Sequence, residues 1–123
     1  MATNDSCVTL HPYFLVKEGE IENVKAHLEK FVEMTTSEKD CLYYGFSFCG
    51  NKVHCREGYV NADGLLAHLD NVGALLGDVL GSGIMELTDL QVHGPQEELE
   101  KLREPMAHLN PSYWALEYGF RNA

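Results

Sequence analysis

The sequence has few basic residues and no long apolar run. Its 123 residues include 9 lysines and arginines against 19 aspartates and glutamates, a formal net charge of -10 at pH 7. Nucleic acids and anionic membrane surfaces are bound mainly through lysine and arginine, so neither is expected as a partner. No apolar stretch approaches the roughly 20 residues that span a bilayer. The first residues also lack the basic flank and apolar core of a secretion signal, and we expect a soluble cytoplasmic protein.

Several well-known catalytic and metal-binding motifs are also missing. The sequence contains no glycine-rich phosphate loop, GxSxG elbow, HExxH helix or dinucleotide fingerprint. No two of its four cysteines have the two-residue spacing of a zinc knuckle. Cys49 and Cys55, with His54 between them, lack a fourth ligand nearby, so we expect reduced cysteines, no metal and no cofactor. Any chemistry must then come from a shaped pocket with one or two acid-base groups.

The predicted order of elements is βαββαβ, followed by one more helix and one more strand. Hydrophobic spacing of three and four residues predicts a first helix from residue 21, and a second helix after the N-cap Asn61 with a break near Gly73. Strands are predicted at 8–17, 41–49, 52–59, 84–93 and 112–121, and a third helix at 95–104. We expect residues 1–7 to be flexible and residues 8–123 to form a single domain.

The first six elements match the split βαβ pattern of ferredoxin-like α+β domains. In that fold two helices cover one face of a four-stranded antiparallel sheet. Residues 42–48 carry no charge and residues 113–120 carry only Glu117, so the other sheet face is also predicted to be buried. No segment of the chain remains to cover that face. A second copy packing sheet against sheet would cover it, which predicts a homodimer of the dimeric α+β barrel type.

Candidate acid-base residues lie on the third strand and the second helix. His68 comes three residues after Leu65 and four before Val72, so it joins the apolar stripe that faces the sheet. It is either a hydrogen-bonded core residue or the base of a pocket. Glu57 and Tyr59 share one face of their strand because alternate residues point the same way. Glu57 is either a buried carboxylate with a shifted pKa or a rim residue paired with a cation.

Aromatic side chains supply flat apolar area for an aromatic ligand. Tyr44, Tyr59 and Trp114 are candidate ligand-binding residues, and core packing is the alternative for each. His54 is a fourth candidate, although strand alternation places it on the opposite face from Tyr59 and a structural role is its alternative. Glu86 on the fourth strand is a second possible interior carboxylate.

Two stretches resemble the antibiotic-biosynthesis-monooxygenase-like family. Residues 57–72, EGYVNADGLLAHLDNV, are similar to its strand-to-helix signature, in which an acidic or aromatic strand end leads into a helix bearing a histidine. Residues 41–46, CLYYGF, are similar to its second strand. The resemblance covers residues 8–93 and implies a dimeric α+β barrel. The sequence departs from the family in its acidic third helix, its aromatic C-terminal segment, and a tyrosine at position 59, where many members have tryptophan.

The resemblance implies three possible functions. Characterised members include monooxygenases that oxidise phenolic or polycyclic substrates without metal or flavin, and related barrels degrade haem or cyclise polyketide-derived substrates. The first hypothesis is therefore a cofactor-independent monooxygenase, or a related small-molecule enzyme, that acts on an aromatic or polyketide-like substrate. In this hypothesis His68 is the base, and Glu57 or a tyrosine orients the substrate. The second is a non-catalytic dimeric barrel of the stress-responsive type that binds a small apolar ligand or a partner. The third is haem binding or breakdown, with His68 as axial ligand.

Overall fold

The computed structural model describes residues 3–122, and its elements follow the predicted order. They are β1 (Val8–Val16), α1 (Ile21–Thr35), β2 (Cys41–Cys49), β3 (Lys52–Tyr59), α2 (Ala62–Gly81), β4 (Met85–Gly94), α3 (Gln96–Arg103), a 3₁₀ turn (Ala107–Leu109) and β5 (Ser112–Ala115). Within residues 3–122, no helix combines the length and the apolar character that crossing a membrane requires.

The segment 1–7, predicted to be flexible, includes residues 1 and 2, and the predicted domain 8–123 includes residue 123. These three residues lie outside the part of the chain that the structure describes. In the described part of the N-terminal segment, the Arg121 guanidinium donates two hydrogen bonds to the Asp5 carboxylate, at 2.8 and 2.9 Å. The flexibility of the segment stays a prediction.

The five strands form one sheet in the order β2-β3-β1-β4-β5. The first four strands pair antiparallel, as the ferredoxin-like pattern predicts. The added strand β5 pairs parallel to β4, so the complete sheet is mixed. A parallel neighbour requires a crossover connection, and α3 with the 3₁₀ turn provides it. Strand β5 ends at Ala115 rather than at the predicted 121, because Ala115 pairs with Gly94, the last residue of β4.

All three helices lie on the same face of the sheet. One core cluster joins α1 and the middle of α2 to the sheet through Phe14, Val24, Phe31, Val53 and Val72. A second cluster joins the start of α2 and α3 to the sheet through Val8, Leu65, Val92, Leu99 and Leu102. Between these clusters the helices leave a space lined by residues of both clusters.

Helix α2 is continuous from Ala62 to Gly81, so the predicted break near Gly73 is wrong. Val72 and Val79 are buried against the sheet on either side of that position, and their packing offsets the roughly 1 kcal/mol that a helical glycine costs. The predicted cap is confirmed, because the Asn61 side chain accepts a hydrogen bond from the Gly64 N–H at 3.0 Å. The Glu98 carboxylate also accepts one from the Ala62 N–H, at 2.9 Å.

The sheet face away from the helices is uncovered within a single chain, and we call it the outer face. Rings of histidine, tyrosine and tryptophan extend across four strands of it. His11 lies 4.6 Å from His93 and 5.9 Å from His54, measured between ring centroids. Tyr13 stacks on His54 at 4.4 Å, and Trp114 stacks on His93 at 5.4 Å.

Candidate functional site

A cavity lies between the sheet and helices α1 and α2. It has an empty volume of about 570 Å³, including its open mouth. Its walls are mostly apolar, and four aromatic side chains contribute to them: Phe14, Phe31, Tyr44 and Phe46. Glu57 and His68 are the lining residues that carry a carboxyl or an imidazole. The space is narrow, since the centres of water-sized molecules can occupy about 50 Å³ of it. A mostly apolar lining with a few polar groups is typical of pockets for small molecules.

Glu57 is a buried carboxyl held by a tyrosine. Strand alternation directs Val53, Cys55, Glu57 and Tyr59 toward the helices, and all four are at most 3% exposed. The Tyr59 hydroxyl donates a hydrogen bond of 2.5 Å to Glu57 Oε1. Burial raises the pKa of Glu57 to about 7, although the bond from Tyr59 acts in the opposite direction. Glu57 therefore both gains and loses a proton readily near neutral pH.

Tyr59 lies behind Glu57 and outside the cavity lining. Burial, followed by the nearby Glu57 charge, raises the pKa of Tyr59 well above its ordinary value. The phenol therefore stays protonated and remains a hydrogen-bond donor. Its position fixes the orientation of the Glu57 carboxyl without contacting anything in the cavity.

His68 is buried between two carboxyl groups. Its Nδ1 atom lies 2.9 Å from Glu38 Oε2 and 3.1 Å from Glu38 Oε1, while its Nε2 atom lies 3.5 Å from Glu57 Oε1. A carboxylate only accepts hydrogen bonds, so the ring proton is assigned to Nδ1. The Nε2 lone pair then faces Glu57. Burial lowers the pKa of His68, and the hydrogen bond to Glu38 partly offsets this effect.

Glu38 lies in the turn between α1 and β2, and it was not among the residues predicted for the site. Asn71 holds it in place by donating a hydrogen bond of 2.7 Å to Glu38 Oε2 and another of 3.0 Å to the Met34 carbonyl. The turn sequence around Glu38 is polar and typical of a solvated loop. One available signal was the three-residue spacing of His68 and Asn71, which puts two polar side chains on one face of α2.

Four of the six predicted site residues come together. The Tyr44 and Tyr59 rings lie 5.1 and 5.2 Å from the His68 ring, measured between centroids, and His68 contacts Glu57. Tyr44 lines the cavity, and burial raises its pKa strongly.

The other two, His54 and Trp114, lie on the outer face and do not line the cavity. His54 Nδ1 is 3.0 Å from the Pro12 carbonyl oxygen and Trp114 stacks on His93, so both are engaged with the opposite side of the sheet. The predicted interior position of Glu86 is also wrong, because its side chain is exposed. These assignments depended on which strand face the helices cover, and that is decided by tertiary packing.

The site was also tested as a metal or haem site. Among residues 3–122, no group of three or more histidine, cysteine, aspartate or glutamate side chains could hold a metal ion. Both ring nitrogens of His68 face carboxyl groups, so neither points freely toward a haem iron. The geometry does not fit His68 as an axial ligand.

Comparison with known proteins identifies relatives by structure. No protein-family model and no curated protein matches the chain. MupZ from Pseudomonas fluorescens is 40% identical, with a TM-score of 0.93 over 99% of this chain and 94% of MupZ, so the likeness includes α3 and β5.

Two candidate antibiotic biosynthesis monooxygenases share the fold at lower identity. The one from Chloroflexus aurantiacus is 19% identical, with a TM-score of 0.58 over 73% of this chain and 93% of its own. The one from Caulobacter crescentus is 14% identical, with a TM-score of 0.60 over 72% and 88%. At these identities the likeness concerns the fold alone.

Proposed function

Because the chain belongs to the same family as MupZ and shares the fold of the antibiotic-biosynthesis-monooxygenase-like proteins, we propose that it is a small-molecule enzyme in which Glu57 exchanges a proton with an aromatic or polyketide-like substrate. One observation carries the proposal. A carboxyl whose pKa is about 7 stands in the wall of an otherwise apolar cavity, held by Tyr59 and adjacent to His68. Shifted carboxyl groups in pockets are typical of general acids and bases.

The reaction we propose is a cofactor-independent oxygenation. Ionised Glu57 accepts a proton from a phenol or an acidic C–H group of the substrate, and the substrate keeps the electron pair as an anion. The anion then transfers an electron pair to molecular oxygen, which is the second substrate and the oxidant, and forms a C–O bond to give a peroxide anion. This anion takes up a proton, and loss of water from the peroxide leaves one oxygen atom in the product as a carbonyl. The apolar walls keep water from the anion, so its charge is less stabilised than in solution and it is more easily oxidised.

The roles of the two acid-base residues differ from the sequence-based expectation. That expectation made His68 the base and Glu57 an orienting group. Burial lowers the pKa of His68, whereas the pKa of Glu57 is raised to about 7. We therefore propose that Glu57 contacts the substrate and that His68 supports it.

A second candidate is a non-oxidative reaction of the same site, such as a cyclisation. With a pKa of about 7, Glu57 carries its proton in a large share of molecules at neutral pH. A neutral carboxyl can donate this proton to a substrate oxygen atom and so promote attack by another group of the substrate. This reaction consumes no oxygen, which separates it from the first candidate.

Oxygen uptake and product analysis with a panel of phenols, anthrones and cyclisable polyketide analogues test the proposal. An oxygenase consumes oxygen and adds an oxygen atom to its product, whereas a cyclase gives a product of unchanged mass. For either reaction, Glu57→Gln is expected to lower turnover by about a hundredfold or more. Glu86→Gln, which neutralises an exposed carboxylate of β4, serves as the matched control and should retain full turnover.

Retention of turnover in a folded Glu57→Gln protein would show that the proposal is wrong. Binding of panel compounds without turnover of any would favour the non-catalytic barrel. A haemin titration distinguishes the third hypothesis. Because both nitrogens of His68 face carboxyl groups, we expect no shift of the Soret band on mixing.

We also propose that two copies of the chain pair through the outer face. That face presents Tyr13, Leu15 and Trp114 at 39, 38 and 50% exposure, next to a row of histidine rings. Covering such a surface removes apolar area from water. The net charge of -10 makes two copies repel each other where acidic side chains face one another. We therefore expect them to pair through the outer face, where uncharged rings predominate.

A further inference from the structure

Glu38 connects the buried site to a second opening on the protein surface. Its side chain is 11% exposed, and its carboxylate contacts His68 on one side. On the other side it lines a surface groove at the end of α1, together with Val32, Thr35, Thr36, Cys41, Tyr43 and Tyr44. We call this the Glu38 groove. Its lining is distinct from that of the cavity, and Tyr44 is the one residue that lines both.

The residues between the cavity and this groove form a continuous series of acid-base groups. Glu57 Oε1 lies 3.5 Å from His68 Nε2, and His68 Nδ1 lies 2.9 Å from Glu38 Oε2. The first distance is longer than a hydrogen bond, but catalytic hydrogen bonds are commonly long in unliganded proteins and shorten when substrate binds. An imidazole can accept a proton on one ring nitrogen while it releases a proton from the other ring nitrogen.

We propose that Glu38 is a proton-exchange residue, through which His68 connects Glu57 to solvent at the Glu38 groove while the cavity is occupied. The inference rests on the proposed function of Glu57. The proton that Glu57 has taken from the substrate moves to His68 Nε2, and the Nδ1 proton moves to the Glu38 carboxylate. Glu38 then releases a proton to water in the groove. Glu57 and Glu38 are again ionised, and the ring holds its proton on Nε2. Reversal of the same transfers restores the Nδ1 proton and returns a proton from solvent to Glu57, so the route exchanges protons in both directions.

An apolar ligand makes such a route necessary. A bound substrate fills the cavity, whose other walls offer no group that carries protons near neutral pH, and it blocks exchange with water through the mouth. The remaining titratable groups around His68 do not provide an alternative. Burial raises the pKa values of Tyr44, Tyr59 and Cys55 strongly, and that of Cys41 to about 11. These four groups keep their protons at neutral pH and so do not pass protons on. Glu38 contacts His68 and is also exposed to solvent.

Proton exchange measured by NMR, with the cavity filled by an apolar probe such as benzene, tests the route without an identified substrate. Two resonances report on it: the His68 Nδ1 proton and the Tyr59 hydroxyl proton that is shared with Glu57. In Glu38→Gln the amide oxygen still accepts a hydrogen bond but no longer takes up a proton. We expect exchange of both protons with water to slow by about a hundredfold, the low end of the contribution of a positioned proton carrier.

Two further variants serve as controls. Glu33→Gln neutralises an exposed carboxylate of α1 and should leave both exchange rates unchanged. Glu38→Asp retains a carboxylate and should restore exchange at least in part, which a purely structural role of the glutamate would not predict. Circular dichroism of each variant verifies that it is folded.

An unchanged exchange rate of the Tyr59 hydroxyl in Glu38→Gln would overturn the inference, because protons would then reach Glu57 through the cavity. That result leaves the role of Glu57 intact. Full turnover in Glu57→Gln would instead contradict the proposed function while leaving the exchange measurement valid. The two failures are therefore distinguishable.

Discussion

The Tyr59 hydroxyl, 2.5 Å from Glu57 Oε1, favours the ionised form of that carboxyl. Replacing Tyr59 with phenylalanine removes the donor and leaves the site as buried as before. We predict that Tyr59→Phe raises the pKa of Glu57 above its value of about 7. The carbon-13 shift of the Glu57 carboxyl, followed through a pH titration, measures the change. Tyr118→Phe, at a tyrosine that is 73% exposed, should have no effect, and a lower pKa in Tyr59→Phe would contradict the prediction.

Glu57 also makes the stability of the protein depend on pH. Its pKa rises from the ordinary value of 4.5 to about 7 on folding, so the folded chain binds the proton more tightly. The stability that this proton provides is complete below about pH 4.5 and is lost as pH rises through about 7. The shift corresponds to about 3 kcal/mol. We predict that the free energy of unfolding falls by this order over that range in the natural protein.

Glu57→Gln should remove this decline, because glutamine does not titrate. Urea unfolding at a series of pH values measures the free energy in both proteins. Glu86→Gln is again the control, and it should follow the natural protein. Parallel curves for the natural protein and Glu57→Gln would mean that Glu57 ionises normally in the folded state.

At the scale of elements, α2 keeps glycines that its packing does not require. Gly73 and Gly77 are exposed within the helix, and a Cβ atom added at either would meet nothing within 4 Å. Alanine at each position should therefore raise the free energy of unfolding by about 0.5–1 kcal/mol, because it restricts the unfolded chain. Thermal and urea unfolding measure the gain.

Gly64 is the contrasting position in the same helix. A Cβ atom there would lie 3.1 Å from the Asp40 Cβ and 3.3 Å from the Tyr59 Cβ. Gly64→Ala is thus expected to give a smaller gain than Gly73→Ala, or a loss. Equal gains at the two positions would show that the close approach of α2 to Tyr59 imposes no constraint.

Patterns within a single element predicted much of this fold and part of its site. Alternation along β3 placed Glu57 and Tyr59 on one face, and helical spacing directed His68 toward the sheet. The cap at Asn61 required only the local sequence. These features depend on neighbours within a few residues, and such patterns are readable without knowledge of the rest of the chain.

Features that depend on distant contacts were not predictable. Glu38 reaches His68 across 30 residues of sequence, and its turn carries no local signature of a buried partner. His54 and Trp114 were predicted to bind a ligand, but both lie on the outer face. The alternation of residues along a strand identifies its two faces without indicating which one the helices cover. The parallel pairing of β5 likewise depends on where the crossover returns the chain.

At the scale of the whole molecule, the outer face is the proposed contact between two copies. We predict that Tyr13→Lys places a charge in the proposed contact and converts a pair of copies into single chains, since an unpaired buried charge is strongly unfavourable. Light scattering coupled to size exclusion measures the mass. Ala74→Lys, at an exposed position of α2 on the opposite side of the sheet, should leave the mass unchanged. A natural protein that is already a single chain at micromolar concentration would refute the pairing.

The histidines of the outer face predict how pairing responds to acid. His11 accepts or donates a 2.8 Å hydrogen bond with Thr9 and lies close to His93 and His54. Burial, followed by the charges of His93 and His54 when they are protonated, lowers the pKa of His11 to about 4. A partner that covers these rings would bury them further and favour their neutral forms.

The direction in which pH changes the pairing follows from the lowered pKa of His11. The paired state binds fewer protons than the separated chains, so the proposed association is unaffected by His11 at neutral pH and weakens as pH falls through about 4 and below. Light scattering through and below this pH should register dissociation while circular dichroism still reports a folded chain. In His11→Gln, whose amide can keep the bond to Thr9 but does not titrate, the paired mass should persist to lower pH. Identical dissociation curves for the two proteins would show that His11 does not cause the acid response.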